Sequence, residues 1–224
     1  MKKTSRFISV VLIIVCGVLF LYELCPVVLW SIKNYIDYKW LGIGFAGYYL
    51  VRITPVLRKN EDWLQVFSHE LSHTLVGMLF FQEIHSFNAS EREGRITHSG
   101  NNFGDLFISL APYTLPFYTY VVLFLTLLIK PEFVCFFEAF AGLTLAFHLK
   151  CFTSQTRNYQ TDISKQGFFR AYAFIFTAHF FNLSIILLSV RSGIIDANIH
   201  LFIAYWSDIQ QAYQFVVNLV TGIL

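Results

Sequence analysis

Three residues in one short stretch of the chain have the types and the spacing of a metal-dependent hydrolase site. His69, Glu70 and His73 belong to the sequence HELSH. On a helix, residues i and i+4 lie on one face about 6 Å apart, so two imidazoles at this spacing can bind one zinc ion at about 2.0–2.1 Å each. Glu70 is rotated by about 100° from His69 and can reach a coordinated water without binding the metal. The pattern therefore predicts His69 and His73 as zinc ligands and Glu70 as the general base, with zinc lowering the pKa of the attacking water to about 7.

The apolar surroundings of these residues are a second indication of function. Residues 63–81 form an apolar segment that contains all three side chains. A charged side chain at the centre of a membrane helix costs about 2.5–3.5 kcal/mol, so such groups normally mark function. In a helix that begins at Trp63, the motif lies roughly 9–15 Å from the charged end. With Arg58 and Lys59 marking the cytoplasmic side, we expect the metal inside the bilayer near that side.

The composition of the whole chain is that of a membrane protein. Of its 224 residues, 56% are hydrophobic and only 13% are charged, and the mean hydropathy is +0.56. A soluble domain has about 25% charged residues. The composition therefore excludes a disordered chain, a nucleic-acid binder with a basic field and an ordinary cytosolic enzyme. We predict a single integral membrane domain, residues 1–224, whose partner is the lipid bilayer and not a nucleic acid.

Apolar segments separated by short polar breaks predict an all-α polytopic bundle of six or seven membrane helices. The N-terminal spans fall within residues 7–56, the core that carries the motif covers about 57–190, and a C-terminal helix covers 199–224. Basic residues before the first span predict a cytoplasmic N-terminus. The apolar run of the first span has no small-residue cleavage site, which predicts a span that is not removed as a signal peptide. We expect a bacterial inner membrane. The segments are residues 7–30, 40–56, 63–81, 106–129, 133–149, 168–190 and 199–224.

The polar stretch after the motif predicts a small β-hairpin. Residues 82–105 alternate between apolar and polar side chains, with a glycine-bearing turn after Glu93. A hairpin from Ile84 to His98 could bind an extended substrate by strand addition. The alternative is a surface hairpin with no role in binding.

Together these features resemble the site-2 protease family of intramembrane zinc metalloproteases. The resemblance covers about residues 63–182 and consists of the motif at His69, Glu70 and His73, the hairpin-like stretch, further apolar segments and a distal aspartate. In that family an aspartate in a later segment, often followed by glycine, is the third zinc ligand, which here implies Asp162, followed by Ile163. The resemblance implies hydrolysis of a peptide bond in a membrane-spanning substrate protein, with a regulatory membrane partner left open.

The third ligand raises a topological question. If the motif helix runs outward and the next two apolar segments cross in turn, Asp162 lies on the wrong side of the bilayer. Either one segment is re-entrant, or residues 150–166 fold back into the protein. Glu138 and His148 are the alternative third ligands.

Two other classes of function remain open at this stage. Some zinc transporters also carry His-Glu pairs on a membrane helix, and an inactive membrane adaptor could have the same fold. Transport needs a chain of metal sites, whereas the polar membrane residues here cluster at one depth. An adaptor has no need of Glu70. Asn182, in a later apolar segment, could orient substrate or form a helix–helix hydrogen bond.

Overall fold

The computed structural model describes residues 2–89, 94–99, 104–157 and 160–221. This part of the chain forms nine α-helices and two short strands. Their bounds are α1 Lys2–Lys33, α2 Lys39–Arg52, α3 Pro55–Leu79, β1 Glu83–Ala89, β2 Gly94–Ser99, α4 Asp105–Thr114, α5 Phe117–Leu125, α6 Val134–Gln155, α7 Thr161–Gln166, α8 Phe168–Ser192 and α9 Ile194–Thr221.

Three helices in the described residues are long and apolar enough to cross a membrane. They are Thr4–Lys33, Pro131–Gln155 and Phe168–Ser192, and the bent pair α4–α5 would make a fourth. These helices are consistent with a membrane protein, but the six or seven predicted spans are not confirmed. At 14 residues, α2 is shorter than the roughly 20 residues that span a bilayer. The charged residues of α3, among them Arg58, Lys59 and Asp62, and those of α9, Asp196 and Asp208, lower the hydropathy of the other two long segments.

The predicted hairpin region contains two paired strands. β1 and β2 run antiparallel, with Ile84 opposite His98 and Ala89 opposite Gly94. The turn between them, residues 90–93, lies outside the described residues. Ile84 packs near Gly77 at the end of α3, so the strand pair follows directly from the helix that carries the motif.

The long apolar segment that precedes α6 is broken at Pro116, whereas Pro112 lies inside α4. Leu115 is extended (φ −97°, ψ 106°) between α4 and α5, as expected for a residue before proline, and the two helices meet at 75°. Asn182 of α8 caps this break, because its Nδ2 donates a 2.6 Å hydrogen bond to the carbonyl of Thr114. The hydroxyl of Tyr120 donates to Oδ1 of the same amide. Asn182 therefore makes the helix–helix hydrogen bonds that the sequence left as one of two alternatives.

Close helix packing elsewhere depends on two glycines. A Cβ on Gly44 of α2 would collide with the backbone of Ala139 in α6, and one on Gly142 would collide with the backbone of Leu41. The two helices thus cross with their backbones in contact, as small residues permit.

Helices α1 and α8 lie side by side and run in the same direction. The Thr177 hydroxyl donates to the carbonyl of Ile13, the rings of Phe20 and Phe181 are 5.2 Å apart, and Arg191 lies over Trp30. Contacts therefore advance along both helices together. The two candidate spans consequently begin at the same end of the bundle.

Candidate metal centre

The two histidines of the motif share one face of α3, as their spacing predicts. The Nε2 atoms of His69 and His73 are 3.2 Å apart, and the side chains are only 12% and 13% exposed. The i and i+4 positions of a helix bring such side chains together without help from the rest of the fold.

Asp162 completes a group of three donor atoms. Its Oδ2 lies 3.3 Å from Nε2 of His69 and 3.3 Å from Nε2 of His73. Among the described residues, these three side chains form the one group of at least three His, Cys, Asp or Glu residues close enough to hold a metal ion. The structure thus brings together the ligand set that the family resemblance implied.

The chain reaches this position by folding back after α6. Helix α6 ends at Gln155 and the six-residue α7 begins at Thr161, so the polar stretch returns toward α3 instead of leaving the bundle. The next residue after Asp162, Ile163, is fully buried and holds α7 in place. It packs in a cluster with Leu110, Tyr113, Ala171 and Ile175. An apolar anchor therefore stands where the family pattern often has glycine.

The size of the donor triangle fits a small divalent cation. In tetrahedral coordination with bonds of 2.0–2.1 Å, neighbouring ligand atoms are about 3.3–3.4 Å apart. The three separations here are 3.2, 3.3 and 3.3 Å. The triangle therefore has the dimensions of one face of a coordination tetrahedron around a small divalent cation.

Hydrogen bonds on the far side of each imidazole orient the rings toward this triangle. Nδ1 of His73 donates a 2.8 Å hydrogen bond to the backbone carbonyl of Ile108, and Nδ1 of His69 donates a 3.1 Å bond to Oε1 of Gln155. In a neutral ring that donates from Nδ1, Nε2 has a lone pair that can bind a cation. Two imidazole lone pairs and a carboxylate oxygen then converge, which favours a cation between them.

The charge of Asp162 suits a metal ligand. Burial by itself would raise the pKa of this carboxyl, but the adjoining imidazoles of His69 and His73 outweigh burial and hold the pKa below its ordinary value. The carboxylate is therefore ionised at neutral pH. The fully buried Tyr113 also lies beside it, with its hydroxyl 3.4 Å from Oδ2.

Glu70 lies beside the triangle but is not part of it. The side chain is buried, at 9% exposure, and its carboxylate interacts electrostatically with His69, His73 and Asp162. Within the described residues, no hydrogen bond occupies this carboxylate. The arrangement leaves it available to accept a proton.

Glu138 lies away from the donor triangle, and His148 is not one of its members. Glu138 precedes Gln155 by 17 residues on the continuous helix α6, about 25 Å along its axis. His148 is buried and stacks on His179, with ring centroids 5.8 Å apart. The structure places neither in contact with His69 or His73.

A small cavity adjoins the ring of His69. Its volume is about 20 Å³, which is enough for one water molecule. Polar side chains form part of its wall, including Ser68, Ser72, Tyr118, His148 and Gln155. A water could therefore stand beside the donor triangle in an otherwise packed interior.

Two residues of the site, Gln155 and Tyr113, have no signal in the sequence. Gln155 lies in a polar stretch without ligand spacing, and Tyr113 is one of many aromatic residues of apolar segments. Only their contacts with His69 and Asp162 identify them. Comparison of the chain with protein-family models, curated proteins and solved structures finds no match, so the assignment of this centre depends on its own residues and geometry.

Proposed function

We propose that this chain is a membrane-embedded zinc metalloendopeptidase that hydrolyses a peptide bond of a membrane-spanning or membrane-associated protein. The observation that carries the proposal is the donor triangle of His69, His73 and Asp162, whose separations of 3.2–3.3 Å suit a tetrahedral ion. The buried carboxylate of Glu70 beside it supplies the acid–base group that hydrolysis needs.

A zinc ion held there would supply Lewis acidity, polarising the scissile carbonyl and lowering the pKa of the attacking water. Glu70 takes a proton from that water as its oxygen bonds to the carbonyl carbon. Glu70 then gives the proton to the leaving nitrogen as the C–N bond breaks, so it is unchanged after each turnover. Gln155 and the carbonyl of Ile108 hold the imidazoles in the tautomer that binds the ion.

The position of the centre supports a site near one membrane surface. Asp162 lies six residues before Phe168, where α8 and a candidate span begin. The basic residues that flank the parallel starts of α1 and α8, among them Arg6 and Arg170, favour a cytoplasmic location for this end. The proposal therefore includes a cytoplasmic N-terminus and entry of water from that side.

The first test is the metal content of the detergent-purified protein. We expect one zinc per chain in the wild type, loss of it in His69→Ala and Asp162→Ala, and full retention in His200→Ala, which alters an exposed histidine of α9. Absence of metal from the wild type, or its retention in both site variants, would contradict the proposal.

The second test separates a hydrolase from a metal transporter. An unstructured protein such as casein in detergent should be cut by the wild type and not by Glu70→Gln, which should keep its zinc. A transporter would instead carry zinc into proteoliposomes and show no cleavage. The donor group at α3 and α7 is the one such group in the described residues, whereas transport needs a series of sites.

A further inference from the structure

A second, larger cavity lies at the end of the bundle where α1, α4 and α8 begin. It has a volume of about 460 Å³ and is distinct from the small cavity beside His69. Five polar or charged side chains line it: Arg6, Asp105, Lys165, Gln166 and Arg170. Gly104, Leu106 and Phe107 complete the wall.

The cavity contains an excess of positive charge. Three cationic side chains face one carboxylate, that of Asp105. This carboxylate is already engaged, since Lys165 Nζ lies 2.8 Å from Oδ1 and Gln166 Nε2 donates a 2.8 Å hydrogen bond to Oδ2. Asp105 pairs with Lys165, and its single negative charge leaves the cavity with a net positive charge.

Arg170 has an unsatisfied hydrogen-bonding group. Its Nη2 donates a 2.7 Å hydrogen bond to Oε1 of Gln166, but its buried Nε has no acceptor among the described residues. The positive charge of Arg6 acts on the same guanidinium and opposes its own charge. Neither an ion pair nor a hydrogen bond engages Arg6 within the part of the chain that the structure describes. An anion between the two arginines would accept a hydrogen bond from Nε of Arg170 and reduce the repulsion between the two positive charges. Guanidinium groups bind phosphate through several N–H donors.

The surroundings of the cavity favour a lipid as the source of that anion. Two candidate spans, Thr4–Lys33 and Phe168–Ser192, begin beside it. Large apolar side chains stand exposed at this end: Phe7 is 69% exposed, Phe169 is 70% and Phe107, which also lines the cavity, is 50%. A headgroup in the cavity would place its acyl chains along this apolar flank. Basic pockets between membrane helices on the cytoplasmic side are typical sites for anionic headgroups.

We propose that this cavity binds the phosphate group of an anionic membrane lipid, with Arg6 and Arg170 as its ligands. The proposal depends on α1 and α8 lying in a membrane and is independent of the metal centre and of any peptidase activity. Lys165 and Gln166 contribute by occupying the two carboxylate oxygens of Asp105.

Native mass spectrometry of the full-length protein in a neutral detergent tests this assignment. The protein is titrated with phosphatidylglycerol, with phosphatidylcholine and with inorganic phosphate. We expect phosphatidylglycerol to bind in preference to phosphatidylcholine. In the double variant Arg6→Gln/Arg170→Gln, the affinity for phosphatidylglycerol should fall roughly thirtyfold, which corresponds to five- to sixfold for each charge removed. Lys33→Gln, which removes a cation at the opposite end of α1, should bind phosphatidylglycerol like the wild type.

The single variant Arg6→Gln protects the test against misfolding, because Arg6 is exposed and its loss breaks no contact of the fold. It should weaken phosphatidylglycerol binding five- to sixfold. Equal binding of the two lipids, or unchanged binding in Arg6→Gln and in the double variant, would overturn the proposal. Binding of inorganic phosphate as tight as that of phosphatidylglycerol would assign the cavity to free phosphate instead.

Discussion

His73 donates a 2.8 Å hydrogen bond from Nδ1 to the backbone carbonyl of Ile108. A carbonyl oxygen can only accept, so the proton of the neutral ring is on Nδ1 and its Nε2 lone pair faces His69 and Asp162. Helix α4 thus takes part in the chemistry of α3 through its main chain. Substitution of Ile108 leaves its carbonyl in place, so the tests below use the side chains around this contact.

The substitution Asp162→Asn tests the third ligand with almost no change of shape. The neutral amide is a much poorer zinc ligand, so we expect zinc affinity to fall by more than about 100-fold, beyond the 10–100-fold that outer-shell substitutions cost. Titration with a competing chelator measures the change. Asp196→Asn on α9 is the matched control, and equal zinc affinity in the two variants would rule out Asp162 as a ligand.

Gln155→Ala tests the residue that orients His69. Its loss removes the 3.1 Å hydrogen bond to Nδ1 and lets the ring turn, so zinc affinity should fall by about 10–100-fold, less than in Asp162→Asn. The same chelator titration applies, with Gln210→Ala on the exposed face of α9 as the control. An unchanged affinity would show that packing alone holds the imidazole.

Asn182→Leu separates a structural role from a role in substrate binding. The change leaves the carbonyl of Thr114 and the hydroxyl of Tyr120 without the amide, at about 1–3 kcal/mol for each buried polar group. We expect a lower thermal midpoint of unfolding and retained zinc, whereas Asn198→Leu on α9 should have little effect. Normal stability with loss of hydrolysis would instead assign Asn182 to the substrate.

Gly44→Ala tests the backbone contact between α2 and α6. The added methyl group meets the backbone of Ala139, so the free energy of unfolding should fall by about 1–3 kcal/mol. Gly42→Ala on the same helix meets nothing within 4 Å and should raise stability by roughly 0.5–1 kcal/mol, because alanine favours helix. Thermal or denaturant unfolding in detergent measures both changes in stability. Because the two changes are expected to have opposite signs, they distinguish this contact from a general effect of alanine.

Apolar composition alone overestimates the number of membrane spans. Seven apolar segments predict six or seven spans, but among the residues that the structure describes only three helices, or four with the bent pair, have the length and hydropathy to cross. The short helix α2 is apolar on both faces: Leu41 and Tyr48 are buried against other helices, whereas Ile43, Leu50 and Val51 are exposed. Burial in protein and burial in lipid select the same residue types. The length of a helix and the number of its charged residues distinguish a membrane span from a helix packed within the protein.

The sequence by itself determined the pair His69 and His73 and the adjacent Glu70, because helical periodicity is local and places positions i and i+4 on one face. It also indicated the extended runs that form β1 and β2. The choice of Asp162 over Glu138 and His148 came from a family resemblance, and only the tertiary structure brings Asp162 to within 3.3 Å of both imidazoles. The physical reason is distance along the chain: 93 residues separate His69 from Asp162, and their approach depends on the fold-back after α6 and the packing of Ile163. Local periodicity carries no information about either.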